Sequence, residues 1–150
     1  MTTAFFRANV GAVVLDERNH ILVMRRKAVR DGAWQMPQGG IEAGETPLEA
    51  LYRELREETG LEAHDIEVVS SAHDWLVYEL PPEYRNPKVG WGQAQRWYLL
   101  RLNCARTLAR PDEIEFDEVD WVTSKQLVSR AISFRVPIYQ KLVEEFALCA

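Results

Sequence analysis

The chain has 150 residues, 47% of them hydrophobic, and a formal net charge of −5 from 18 Lys and Arg against 23 Asp and Glu. That size suits one domain, residues 1–150, with a substantial core; the acidic balance speaks against a broad nucleic-acid coat but leaves room for a narrow basic pocket that grips one phosphorylated end. No bilayer-length apolar run, signal-peptide pattern, disulfide spacing between Cys104 and Cys149, or zinc spacing among His20, His64 and His73 is present, so the expected setting is the reducing cytoplasm, without membrane association.

Residues 5–15 read as a first strand, 16–20 as a turn and 21–24 as a second strand, and the two strands are expected to form a hairpin. A basic run follows, with Arg25, Arg26, Lys27 and Arg30. It is open to two readings, a solvated edge or a place where phosphates and bases are met. A turn at Asp31-Gly32 leads to a short strand over residues 34–36, and Pro37-Gln38-Gly39-Gly40 delivers the chain to a helix. Thr46 is a good N-cap, Pro47 suits the first helical position, Glu49 closes a Thr-x-x-Glu capping box and Gly60 suits a left-handed C-cap, which predicts a helix over Pro47–Thr59. Strands are expected over residues 66–72, 75–80, 95–102 and 114–122. A long Pro- and Gly-marked loop at 81–92 carries Tyr84, Arg85, Lys88 and Trp91, and reads as a substrate loop or a structural insertion. A helical turn at 124–128 and a final helix from Ser133 to about Leu148 complete the chain. The order of elements does not alternate strand and helix regularly, so a doubly wound nucleotide fold is rejected in favour of helices packed on a mixed sheet, an α/β class.

At about 100° per residue, Leu48, Leu51, Tyr52, Leu55 and Thr59 form the stripe expected to face the core. Glu54, Glu57 and Glu58 fall on an adjacent strip shared only with Ala50 and Pro47. Carboxylates at i, i+3 and i+4 repel one another. Either the strip is a solvated face, for which Glu is a common choice, or it is a cluster of hard oxygen ligands whose repulsion a divalent cation reverses. Gly39, Gly40 and Gly44 favour the second reading, because they stand where backbone must turn tightly or approach a ligand.

Gly39, Glu45, Arg53, Glu54, Leu55, Glu57, Glu58, Gly60 and Leu61 fit every fixed position of a long pattern: Gly, five residues, Glu, seven residues, then Arg-Glu-aliphatic-x-Glu-Glu-x-Gly-aliphatic. In this the stretch resembles the signature box of the Nudix hydrolases. Further motifs are similar to the RNA pyrophosphohydrolase and dinucleoside polyphosphate hydrolase branch: FRANVG from Phe6, WQMPQGG from Trp34, DWLVYELP from Asp74, GQAQRWYLLRL from Gly92, EFDEVDWV from Glu115 and SFRVPIY from Ser133. Met36, Ala8, Thr59 and Val119 depart from the usual Phe, Pro, Val and Trp of that branch, and none of these removes a proposed ligand.

The resemblance implies an α/β/α sandwich with a mixed central sheet and hydrolysis of a phosphoanhydride with Mg²⁺ or Mn²⁺, two or more ions being held once substrate is bound. It implies Glu54 and Glu58 as principal metal ligands, Glu57 as a shared ligand and candidate base, and the carbonyl of Gly39 as a further ligand. Glu115 is the candidate base or ligand from outside the box, and Arg53 pairs with Glu45 to hold the loop. Arg7 is expected near the 5′ phosphates, Arg26 and Phe134 on either side of a base, and Gln95 and Arg135 along the same groove. The substrates so implied are the 5′ end of triphosphorylated RNA or, alternatively, a dinucleoside tetraphosphate such as Ap4A; a non-catalytic nucleotide-binding module is the reading from another class. Arg85, Lys88 and Arg96 are candidates to extend the groove.

Overall fold

Continuous apolar runs in the two first strands place side chains on both faces of a sheet, so each face needs its own cover. The computed structural model describes residues 4–27 and 34–148 and shows how this is met; Arg30, the Asp31-Gly32 turn and Cys149 lie outside the described residues. Strand β1 (Phe6–Leu15) runs parallel to β7 (Gly92–Leu102), in register from Phe6 opposite Gly92 to Leu15 opposite Arg101. The other edge of β1 carries the short antiparallel strand β4 (Gln38–Gly40), and the far edge of β7 is covered in succession by β6 (Leu76–Glu79) and β5 (Ile66–Ser71). Strand β2 (Ile21–Arg26) pairs antiparallel with β3 (Trp34–Gln35) and β8 (Phe116–Val122).

Residue parity sorts the core into two layers. Val10, Ala12, Val14, Leu22 and Leu100 meet Ala50, Leu51 and Leu55 of helix α1 (Pro47–Thr59). Val13, Leu15, Ile21, Val23 and Trp97 meet Leu127 of α2 (Ser124–Arg130) and Ile138, Tyr139 and Leu142 of α3 (Val136–Glu145). The result is an α/β/α sandwich around a mixed sheet. Trp97 lies edge-on to Tyr139 with ring centres 6.2 Å apart, and it sits where a Cβ on residue 11 would collide with the indole, so Gly11 makes its room. Tyr139 is fully buried, which pushes its phenol up to about 12, and its oxygen accepts from the backbone N–H of Met36 at 3.0 Å, fixing the approach to β4.

Several expectations shift. The β1–β2 hairpin exists only at its root, at Leu15 opposite Ile21, because β2 then diverges to β8 while β4 takes the edge of β1. Strand β7 starts at Gly92 rather than residue 95, since pairing on both edges carries it through the glycine. The last strand begins at Phe116, with Ile114 and Glu115 in a bend before it. Helix α2 runs to Arg130 behind a Thr123–Gln126 capping box instead of making a single turn. The final helix ends at Glu145, and a 3-10 turn at Ser133–Arg135 precedes it in place of a Ser133 side-chain cap. Helix α1 is rolled from its expected setting: Leu48 is exposed, while Ala50 and Glu58 are buried. Among the described residues no helix is long and apolar enough to cross a membrane.

Candidate active site

Helix α1 is fixed by its own ends. Thr46 accepts from the Glu49 N–H at 3.2 Å while Glu49 accepts from the Thr46 N–H at 2.9 Å, and Gly60, at φ 76°, donates to the Arg56 carbonyl at 3.0 Å. Arg53 then ties the helix to the glycine-rich approach. It makes a two-pronged contact with Glu45 at 2.6 and 2.9 Å, donates to the Gly40 carbonyl at 2.8 Å, and reaches Glu54 at 2.8 Å and Glu57 at 3.3 Å. Fork-to-carboxylate geometry of this kind is beyond a lysine. The Arg53 guanidinium, with the Glu42 N–H, holds the Glu45 carboxyl down to about 2, and Glu45 in turn raises the guanidinium.

The roll of α1 buries its carboxylates by different amounts. Glu58 is 5% exposed, and its Oε2 is buried without a partner. Burial, followed by the charges of Glu54 and Glu115, pushes its carboxyl well above the usual range. Burial also raises Glu54, against the pull of Arg53. Glu57 stands open, its side chain 56% exposed. Among the described residues no three acidic, His or Cys side chains are gathered closely enough to hold an ion as they stand, and Arg53 contacts both Glu54 and Glu57. The donor set nonetheless suits a hard divalent cation: crowded carboxylates on one rigid strip, one of them with an orphaned buried oxygen. Gly39 belongs to this set sterically as well, since a Cβ there would run into the Glu54 carboxylate. At Gly40 a Cβ would run into the Arg7 guanidinium, so the glycine pair lets an acidic and a basic side chain lie against the strand.

These groups open onto a cleft of about 600 Å³. Glu54, Glu57, Glu58 and Glu115 supply negative charge to its lining, and Arg7, Arg26, Arg135 and Lys88 supply positive charge. The register shift at Arg25/Arg26 separates the basic run. Arg25 turns away to Asp117 and Glu118, both at 2.9 Å, whereas Arg26 lies in the cleft 3.8 Å from Glu115. Lys27 donates from its side chain to the Glu113 carbonyl at 2.9 Å. Phe134 stands in the cleft with Tyr84 at 5.1 Å and Arg135 over its ring at 5.1 Å, and Tyr78 stacks on it at 6.0 Å.

Of Arg7, Arg26, Phe134, Gln95 and Arg135, only Gln95 does not line the cleft: it is 1% exposed and lies beneath the floor, two residues further along the same face of β7 than Gln93, under Asn9 and Gln38. Arg85 and Arg96 do not extend the groove either. Arg85 is spent on the Leu80 carbonyl and the Trp91 ring, and Arg96 on Ala72 and Ser71. Lys88 does reach the cleft.

Two groups escaped the sequence reading. The amides of Asn9, Gln38 and Gln93 make the floor; their signal was the Gln93-x-Gln95 spacing, which puts both on one face. Asp112 organises the bend that presents Glu115, its Oδ1 accepting from the N–H groups of Ile114, Glu115 and Phe116 at 2.9, 2.9 and 3.0 Å. Such a clamp has no spacing signature beyond an Asp ahead of a turn.

The NUDIX domain pattern matches residues 5–145. The chain belongs to the NUDIX family. Its relatives include the RNA pyrophosphohydrolase of Pseudoalteromonas translucida (strain TAC 125), 39% identical over 95% of this chain and 85% of that one. The RNA pyrophosphohydrolase of Francisella philomiragia subsp. philomiragia is 40% identical over 94% of this chain and 93% of that one. Among solved structures, the E. coli dihydroneopterin triphosphate pyrophosphohydrolase superposes with a TM-score of 0.75 at 20% identity, over 95% of this chain and 99% of that one. A C. elegans Ap4A hydrolase binary complex gives 0.71 at 17%, over 94% and 98%. At such identities the likeness is one of NUDIX fold. NUDIX hydrolases act on pyrophosphate bonds and generally use divalent metal ions, which agrees with the donor set on α1.

Proposed function

We propose that this protein is a metal-dependent RNA pyrophosphohydrolase of the cytoplasm, which converts 5′-triphosphorylated RNA and water to 5′-monophosphorylated RNA and pyrophosphate. The observation that carries the reading is one open cleft lined by two kinds of group: the α1 carboxylates, and Arg26, Phe134 and Arg135. The first suits a phosphoanhydride, the second a base of any sequence. Relatives named RNA pyrophosphohydrolase, similar along almost the whole chain, support the same substrate.

Glu54, Glu58 and Glu57, with the Gly39 carbonyl, would hold Mg²⁺ or Mn²⁺, two or more ions with substrate bound. Ions bound there would neutralise charge on the phosphates and lower the pKa of water. Arg53 keeps the strip and the Gly40 backbone in one geometry. Glu57 and Glu115, both exposed beside the cleft, are the candidates to take the proton of the attacking water; their exposure to the cleft supports that role. Arg7, laid along Gly40, is positioned to pair with the phosphate chain. Arg26 and Phe134 would hold a base, with Arg135 over the Phe134 ring adding a cation–π contact.

A dinucleoside tetraphosphate hydrolase is the second reading. Tyr84, 44% exposed beside Phe134, favours it by offering another aromatic face for a second base. Side-by-side kcat/KM values on a short 5′-triphosphorylated RNA and on Ap4A, with Mg²⁺, test the choice. Preference for the RNA with release of pyrophosphate is expected. Preference for Ap4A by more than about tenfold, with ATP and AMP as products, would overturn it.

A further inference from the structure

The odd-numbered face of β1 and β7 changes character along its length. Leu15 and Val13 beside Trp97 are apolar core, and Asn9 beside Gln95 and Gln93 is a row of amides under the cleft. The amides are joined by hydrogen bonds whose direction can be read from one end. The indole Nε1–H of Trp97 donates to Gln95 Oε1 at 3.0 Å. An indole N–H is a donor only, so that oxygen is fixed as the acceptor; the flipped amide would set two donors against each other. The Gln95 amide nitrogen must then face the other way. Its two hydrogens serve three oxygens: one is donated to Asn9 Oδ1 at 2.9 Å, and the other is shared between Gln38 Oε1 and Gln93 Oε1, both at 3.3 Å. Three oxygens are thereby turned down toward Gln95, and the three partner NH₂ groups are left as the polar atoms for the cleft that all three residues line. Among the described residues no protein group accepts from these nitrogens, and none of them is a buried orphan.

We propose that Trp97 and Gln95 are positioning residues that set the polarity of the cleft floor, so that Asn9, Gln38 and Gln93 present neutral N–H donors to the oxygens of the substrate's phosphate chain. The inference rests on the phosphate-bearing substrate proposed above. Neutral donors suit this floor: they bind phosphate oxygens without adding cations that would compete with metal beside Glu54 and Glu58. The donors are aimed before substrate arrives, because each amide is locked by its oxygen. Trp97 acts at second hand, through Gln95, from inside the core.

The test compares the full-length protein with Trp97→Phe, which keeps a buried ring but loses the N–H, and with Gln95→Met, which keeps the volume but loses the relay. Steady-state kinetics with Mg²⁺ on 5′-triphosphorylated RNA are read beside the inhibition constant of a 5′-hydroxyl RNA of the same sequence. KM is expected to rise about tenfold in both variants, with kcat and the 5′-hydroxyl inhibition constant within about twofold of wild type. An unchanged KM in a folded variant would overturn the proposal. So would a 5′-hydroxyl constant that rises in step with KM, since the base wall would then have moved too. Should neither variant fold, the side-chain NH₂ resonances of wild type decide: those of Asn9, Gln38 and Gln93 must shift on addition of inorganic triphosphate, and their staying in place would refute the relay. If wild type cleaves Ap4A and not RNA, the RNA reading falls alone, and the same KM comparison is made on Ap4A.

Discussion

Residues 39–61 hold their geometry largely with one another, through the capping box, the Gly60 cap and the five hydrogen bonds of Arg53. The base-binding part of the cleft draws on Arg26 of β2, Tyr84 of the 81–92 loop, and Phe134 and Arg135 ahead of α3, which meet only because the fold brings them together. The acidic helix is thus a local cassette, and the base-binding wall is a tertiary assembly. A single change in the cassette should disable chemistry while the fold persists. A single change in the wall should alter how tightly, and which, substrate binds.

The largest break expected is Glu58→Gln. It removes a charge that burial already disfavours, so a thermal melt should show the protein as stable as wild type or more so, while kcat falls by roughly two to three orders of magnitude. Arg53→Lys comes next, at about 10- to 100-fold in kcat/KM, because one ammonium cannot serve Glu45, Gly40 and Glu54 together. On the wall, Phe134→Ala should raise KM for RNA about tenfold with kcat little changed, stacking being worth about 1–3 kcal/mol per base. Asp112→Ala should lower kcat by several-fold, roughly, by loosening the Glu115 bend, and Asp112→Asn should recover part of it, since an amide oxygen can still accept from the three N–H groups. If Asp112→Ala acted on KM alone, Glu115 would be a binding residue rather than a reacting one.

The smallest effect is one of pH. Glu45 is depressed in the folded state from 4.5 to about 2. Its contribution to stability is therefore fully present above about pH 4.5 and is lost as pH falls toward 2. Acid unfolding of Glu45→Gln, followed by circular dichroism, should lack that part of the pH dependence while the rest is kept.

The same contrast explains what could be read from the chain. Caps, glycines and the carboxylate spacing of α1 are short-range features, and a linear pattern records them in full. Burial of Glu58 was not legible, because it depends on how the helix rolls against β1 and β4. Arg26 and Arg25 are neighbours in sequence, and only the register shift against β8 sends one into the cleft and the other to Asp117. Gln95 failed as a groove residue for a related reason. The resemblance implied a place along the groove, but the depth at which that face of β7 passes from cleft to core is decided by Trp97 and Gly11. The Pro81-to-Trp91 loop carried both readings in sequence; in three dimensions Arg85 secures it while Tyr84 and Lys88 line the cleft.

The central claim is that the α1 carboxylates act, through divalent metal, on the phosphoanhydride of an RNA 5′ end. Its most direct test is to follow the products from a 5′-triphosphorylated oligoribonucleotide with Mg²⁺, then after chelation, then after Mg²⁺ is restored. Pyrophosphate and 5′-monophosphorylated RNA should appear, stop on chelation and resume with Mg²⁺. Triphosphorylated RNA left intact with both Mg²⁺ and Mn²⁺, or pyrophosphate release that continues through chelation, would contradict the account.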